Sequence, residues 1–127
     1  RSQVDAVRNR WLQDKATYER IFDEMGHISL EGAGALGKGD DARLGLLMNV
    51  AHGLLNALQV STPLIEEMVE IARSSGAAGA KLTGAGGGGS IVALCPGKSG
   101  EVSRALAAAG FEVISGFASA GAGYEQG

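Results

Sequence analysis

Lys81-Leu82-Thr83-Gly84-Ala85-Gly86-Gly87-Gly88-Gly89-Ser90-Ile91-Val92-Ala93-Leu94 sets five glycines in six positions between two short apolar stretches. Glycine loses the most conformational freedom on folding and brings no side chain to a core, so stability does not explain such a run. Backbone N–H groups with no Cβ in the way form anion-binding nests, and phosphate is their usual occupant. The flanks predict strands over residues 80–83 and 90–94, which makes the glycines a strand-to-strand loop.

Three phosphate motifs fail at this loop. Gly84 to Gly89 satisfies the G-x-G-x-x-G string, but a dinucleotide site needs a helix to open directly from the loop, and residues 90–94 read as a strand. A Walker loop needs Lys-Ser or Lys-Thr after its last glycine, and Ser90 stands there instead. A protein-kinase loop does lie between strands, yet the chain has neither His-Arg-Asp nor Asp-Phe-Gly.

Working outward, Ser61-Thr62-Pro63 caps a helix that Gly76 ends, with Leu64, Ile65, Met68, Ile71 and Ala72 on its buried face. Gly39-Asp40-Asp41 starts the preceding helix, placing acid at the positive end of its dipole. Residues 44–65 carry no charge, and Leu47, Val50, Ala51, Leu54, Leu55 and Leu58 form an apolar stripe, so this helix is expected to be covered by protein on most sides. Asn49, His52, Asn56 and Gln59 make it too polar for a membrane span. Asn49, His52 and Asn56 share one face. That face either looks into a cleft or holds His52 as a core histidine hydrogen-bonded within the protein. Residues 2–25 have helical spacing and are expected to end at Gly26-His27, with a short helix over 31–38. Downstream come a helix over 99–109, Gly110 as its terminator, a strand over 111–115 and a tail with room for one more edge strand.

The 127 residues make about one domain, residues 1–127, with 45% apolar residues and no fixed glycine period to suggest a fibrous chain. A net charge of −3 without a basic run gives no footprint for nucleic acid. Cys95 is the only cysteine, so neither an internal disulfide nor a cysteine metal site is available, and it reads as a structural thiol. No signal-type segment opens the sequence, and a cytoplasmic protein without a membrane partner is expected.

Lys81 to Gly89 resembles the third signature of the GHMP kinases, small-molecule kinases that include galactokinase, homoserine kinase and mevalonate kinase. The resemblance extends upstream through Leu44-Gly45-Leu46-Leu47-Met48-Asn49, His52-Gly53-Leu54-Leu55-Asn56-Ala57-Leu58, Val60-Ser61 and Gly79-Ala80-Lys81, and is strongest to the mevalonate kinases. Ser90 stands where those enzymes often carry cysteine. The family's amino-terminal phosphate loop, Pro-x-x-x-Gly-Leu-x-Ser-Ser, is not among the 127 residues.

The resemblance implies the carboxy-terminal domain of such a kinase, with the amino-terminal kinase domain as its partner. Its fold would be α+β, a ferredoxin-like sandwich of a small antiparallel sheet packed on helices. Arg1 would follow the first strand of that fold, leaving a sheet edge exposed to self-association. The implied chemistry is transfer of phosphate from ATP, with Mg²⁺, to a small-molecule alcohol, most simply mevalonate, an isoprenoid precursor. Gly84, Gly86, Gly87, Gly88 and Gly89, with Ala85 among them, would approach phosphate, and Thr83 and Ser90 would offer hydroxyls. No catalytic residue and no metal ligand is assigned, and Lys81 reads as a surface lysine. A sugar, homoserine or phosphomevalonate kinase, and a free-standing metabolite- or protein-binding module that lacks catalysis, remain open.

Overall fold

In a computed structural model the protein is described over residues 2–83, 89–114, 116–119 and 123–126. The order is α1 (Ser2–Gln13), α2 (Lys15–Lys38), α3 (Asp41–Ala57), α4 (Pro63–Ser74), β1 (Gly79–Leu82), β2 (Ile91–Leu94), α5 (Ser99–Ala108), β3 (Gly116–Ser119) and β4 (Gly123–Gln126). The α+β expectation holds.

Local chemistry sets most of these ends. Thr62 accepts a hydrogen bond from the N–H of Ile65 and Pro63 opens α4, while Asp40 accepts from the N–H of Arg43 to start α3. Helix α2 ends at Gly39, whose φ of +69° turns the chain so that Asp40 N–H bonds Ala35 O. The same reverse bond ends α3, Val60 N–H to Leu55 O, but there Gln59 takes the left-handed position at φ +62°.

The amino-terminal helices differ from expectation. The break falls at Asp14, whose side chain caps the N–H of Thr17, and α2 then runs straight through Gly26 and His27 to Lys38. Gly26 keeps negative φ, so it costs helix stability without ending the helix. The corner at Asp14 lets α1 reach the far end of α3, where Gln3 Nε2 and Arg10 Nη2 donate to the carbonyls of Val60 and Leu58. The apolar spacing overstated burial: Val4 is 70% exposed, and on α3 Leu46 and Val50 face outward.

Strands β1 and β2 pair antiparallel, Gly79 with Leu94 through Leu82 with Ile91. One core joins Ala80 and Leu82 of β1 to Ile65, Met68, Val69 and Ala72 of α4 and to Val102 and Leu106 of α5. A second, of Ile28, Ala35 and Leu47, joins α2 to α3. The strand expected over 111–115 is absent at residues 111–114, which are irregular, and Ser115 lies outside the described residues. Strands β3 and β4 instead pair with each other as a separate antiparallel hairpin.

Helix α3 lies directly on β1. A Cβ placed on Gly45 would stand 2.5 Å from the carbonyl oxygen of Ala78, and one on Gly79 would collide with the carbonyl of Gly45. Two glycines, one from each element, permit that approach.

Candidate functional site

The stems of the glycine loop are closed by a hydrogen bond from Thr83 N–H to Ser90 O at 3.1 Å. Gly89 has φ +69° and open space where a Cβ would point, and Ser90 is exposed. Gly84, Ala85, Gly86, Gly87 and Gly88 lie outside the described residues.

Beneath the stems, side chains close the outer edge of β1. Asn49 Oδ1 accepts from the N–H of Ala80 at 3.0 Å, and Arg73 Nη2 donates to the Ala80 carbonyl at 3.2 Å. His52 Nδ1 accepts from the N–H of Leu82 at 3.0 Å, and Lys81 Nζ donates to the Leu82 carbonyl at 2.9 Å. Arg73 Nε also donates to Asn49 Oδ1 at 2.9 Å, tying α4 to α3. All four edge groups are satisfied, so another strand cannot pair along β1 without displacing them. The expectation of an open sheet edge therefore does not apply to β1.

His52 is 2% exposed, and both ring nitrogens are engaged by the protein. It does not face a cleft, and the alternative of a core histidine describes it. A backbone N–H can only donate, so Nδ1 is unprotonated and Nε2 carries the hydrogen toward Glu66 Oε2, 2.8 Å away. Asn49 is half-buried and likewise faces β1, not open space. Glu66 accepts in addition from Ser61 Oγ at 2.5 Å and Asn56 Nδ2 at 3.3 Å. Burial works against its charge, but the hydrogen bonds from Ser61, His52 and Asn56 outweigh it and hold the carboxyl below its ordinary value.

Lys81 is not a simple surface lysine. With Ile28, Gly32, Leu44, Leu47, Met48 and Ala51 it lines a groove at α2 and α3, and burial pushes its pKa down. Cys95 is half-buried against the main core, and burial raises its thiol pKa, in keeping with a structural role. Among the described residues no group of three or more His, Cys, Asp or Glu side chains is placed to hold a metal ion. No described helix is long and apolar enough to cross a membrane.

The sequence reading missed Glu66 and Arg73. They stand seven residues apart on α4, hence on one face, and a charged face reads as solvated until α3 and β1 are seen against it.

The family model described as GHMP kinases C terminal matches residues 33–112, from the last turns of α2 through α5. The chain belongs to that family. Its relatives include proteins named mevalonate kinase. That of Pyrococcus abyssi is 46% identical over 112 residues, 84% of this chain and 33% of the relative. That of Methanothermobacter thermautotrophicus is 47% identical over 103 residues, 81% and 34% of the two chains. Among solved structures, L. major mevalonate kinase in complex with R-mevalonate superposes with a TM-score of 0.79 at 37% identity, covering 84% of this chain and 33% of that one. Methanococcus jannaschii mevalonate kinase gives 0.66 at 33% identity, with 84% and 31% covered. The chain thus spans about a third of the length of these relatives. The matched segment includes every residue that closes the β1 edge.

Proposed function

We propose that the chain is the carboxy-terminal, glycine-loop part of an ATP-dependent kinase that phosphorylates the alcohol of mevalonate. The observation that carries this reading is the 46% identity to a mevalonate kinase across 84% of the chain, spanning the loop and the cluster that fixes its β1 stem. Phosphoryl transfer asks little covalent chemistry of a protein and depends on positioning and on donors aimed at the transferred phosphate. Thr83, Gly84, Ala85, Gly86, Gly87, Gly88, Gly89 and Ser90 supply backbone N–H and hydroxyl donors suited to that task. Gly89, left-handed and unobstructed, fits close approach by a phosphate oxygen.

Mg²⁺ supplies charge neutralisation in such a reaction. The described residues offer it no carboxylate cluster, and Glu66 is already committed to three donors, so no Mg²⁺ ligand is assigned to this chain. The amino-terminal kinase domain is the partner that carries the metal and the acid–base groups, and the cytoplasm is the setting. Any strand added to the main sheet joins at β2, because the β1 edge is closed.

The test is turnover of the complete kinase with ATP and R-mevalonate, followed by release of ADP, in the parent protein and in Gly87→Val. Turnover should fall roughly 100-fold in the variant, the scale of losing a positioned phosphate donor. Unchanged kinetics would remove the loop from the reaction, and preference for a sugar, homoserine or phosphomevalonate would replace the acceptor.

A further inference from the structure

His52 is the one fully buried polar side chain among the described residues, and its position is informative. Burying an imidazole costs free energy unless both nitrogens are satisfied, and an aliphatic side chain of similar size would fill the space without that demand. What the aliphatic residue cannot do is accept the N–H of Leu82. Leu82 is the last residue of β1, and the next residue, Thr83, bonds Ser90 across the neck of the glycine loop. A shift of Leu82 is therefore carried to both stems.

We propose that His52 is a positioning residue for the phosphoryl transfer proposed above, holding the β1 stem of the glycine loop in register through Nδ1 while Glu66 fixes the plane of its ring. The inference rests on that functional reading. The ring cannot rotate freely, because Nε2 donates to a carboxylate that Ser61 and Asn56 also hold. The loop stem is thus braced from two elements: His52 and Asn56 of α3, Glu66 of α4, with Ser61 from the turn between them. The Asn49–Arg73 pair performs the same bracing two residues earlier, at Ala80.

Three substitutions at one position separate the two halves of the brace. His52→Leu removes both hydrogen bonds. Asparagine places its amide oxygen close to the position of Nδ1, so His52→Asn keeps the acceptor for Leu82. Glutamine places its amide nitrogen close to Nε2, so His52→Gln keeps the donor to Glu66 and leaves Leu82 unpaired.

In the complete kinase, assayed at a temperature where every variant is folded by circular dichroism, kcat of His52→Leu and His52→Gln should fall roughly 10- to 100-fold, as expected of a misplacement of up to about 1 Å. The KM for mevalonate should move much less, and His52→Asn should recover most of the lost kcat. A purely structural role predicts a different pattern: kcat per folded molecule stays near the parent value in all three. That pattern, or equal loss in His52→Asn and His52→Gln, overturns the proposal.

Amide hydrogen exchange at Leu82 gives a second readout that needs no activity. Exchange should quicken in His52→Gln and stay slow in His52→Asn, and the reverse order overturns the brace. If His52→Leu and His52→Gln do not fold, Glu66→Ala takes their place: it frees the ring, should lower kcat and quicken Leu82 exchange, and parental values of both overturn the proposal. A parent protein that shows the exchange pattern but phosphorylates no alcohol would refute the functional reading while leaving the brace intact.

Discussion

Replacing Gly45 by alanine tests whether the direct seating of α3 on β1 holds this fold together. The new Cβ would stand 2.5 Å from Ala78 O, 2.6 Å from Ala78 C and 2.7 Å from Ala78 Cβ, and two of those atoms are backbone that no rotamer change can clear. An ordinary contact requires α3 and β1 to separate by about 1 Å. The hydrogen bonds Asn49 to Ala80 and His52 to Leu82 are both 3.0 Å, and that separation stretches them past the ~3.5 Å at which a hydrogen bond is lost. Two backbone N–H groups are then left short of a partner, at about 1–3 kcal/mol each. Alanine returns about 1 kcal/mol of helix propensity. The net loss is about 1–5 kcal/mol, which lowers the melting temperature of a domain this size by roughly 4–20 °C. Gly53→Ala is the internal control. Gly53 lies on the same helix, exposed, with nothing within 4 Å of its Cβ position, so alanine there should raise stability by about 0.5–1 kcal/mol. Thermal and urea unfolding of both variants by circular dichroism decides the matter. Equal midpoints for the two would refute the close-contact argument.

Two further outcomes follow from the geometry. Gln59 holds φ +62° in a position that glycine takes at the ends of α2, α4 and α5, so Gln59→Gly should raise the urea midpoint by about 0.5–1 kcal/mol in stability terms; a fall would show that the Gln59 side chain contributes what the backbone costs. The carboxyl of Glu66 has its folded pKa held below the ordinary 4.5, so its contribution to stability is present above that value and is lost as pH falls through the lower folded value. The difference in urea midpoint between the parent and Glu66→Gln should accordingly be larger at pH 7 than below pH 4.5, and a gap that widens in acid would reverse the assignment.

Capping and turn chemistry made much of the chain legible residue by residue. Thr62, Pro63 and Gly76 bracket α4, Asp40 opens α3 and Gly110 closes α5, because each signal acts on the backbone within one turn of itself. Gly26-His27 misled for the same reason. A glycine permits an ending but does not enforce one, and α2 continues because its later turns bury Ile28 and Ala35 against α3. The uncharged run of α3 promised cover on most sides, whereas the fold spends its polar face on β1 and leaves Leu46 and Val50 outside.

The sequence by itself determined the family, the α+β class, the start of α3, both ends of α4 and the loop between β1 and β2, since each rests on local spacing or on a contiguous motif. Only the tertiary structure decided what Asn49, His52, Glu66, Arg73 and Lys81 do. Their partners lie up to 31 residues away and are mostly backbone groups, whose N–H and C=O look alike at every position of a sequence. Which edge groups lack a strand, and which side chains stand opposite them, follows from how closely α3 seats on β1. That seating is set by two glycines, Gly45 and Gly79, which signal it only once they meet.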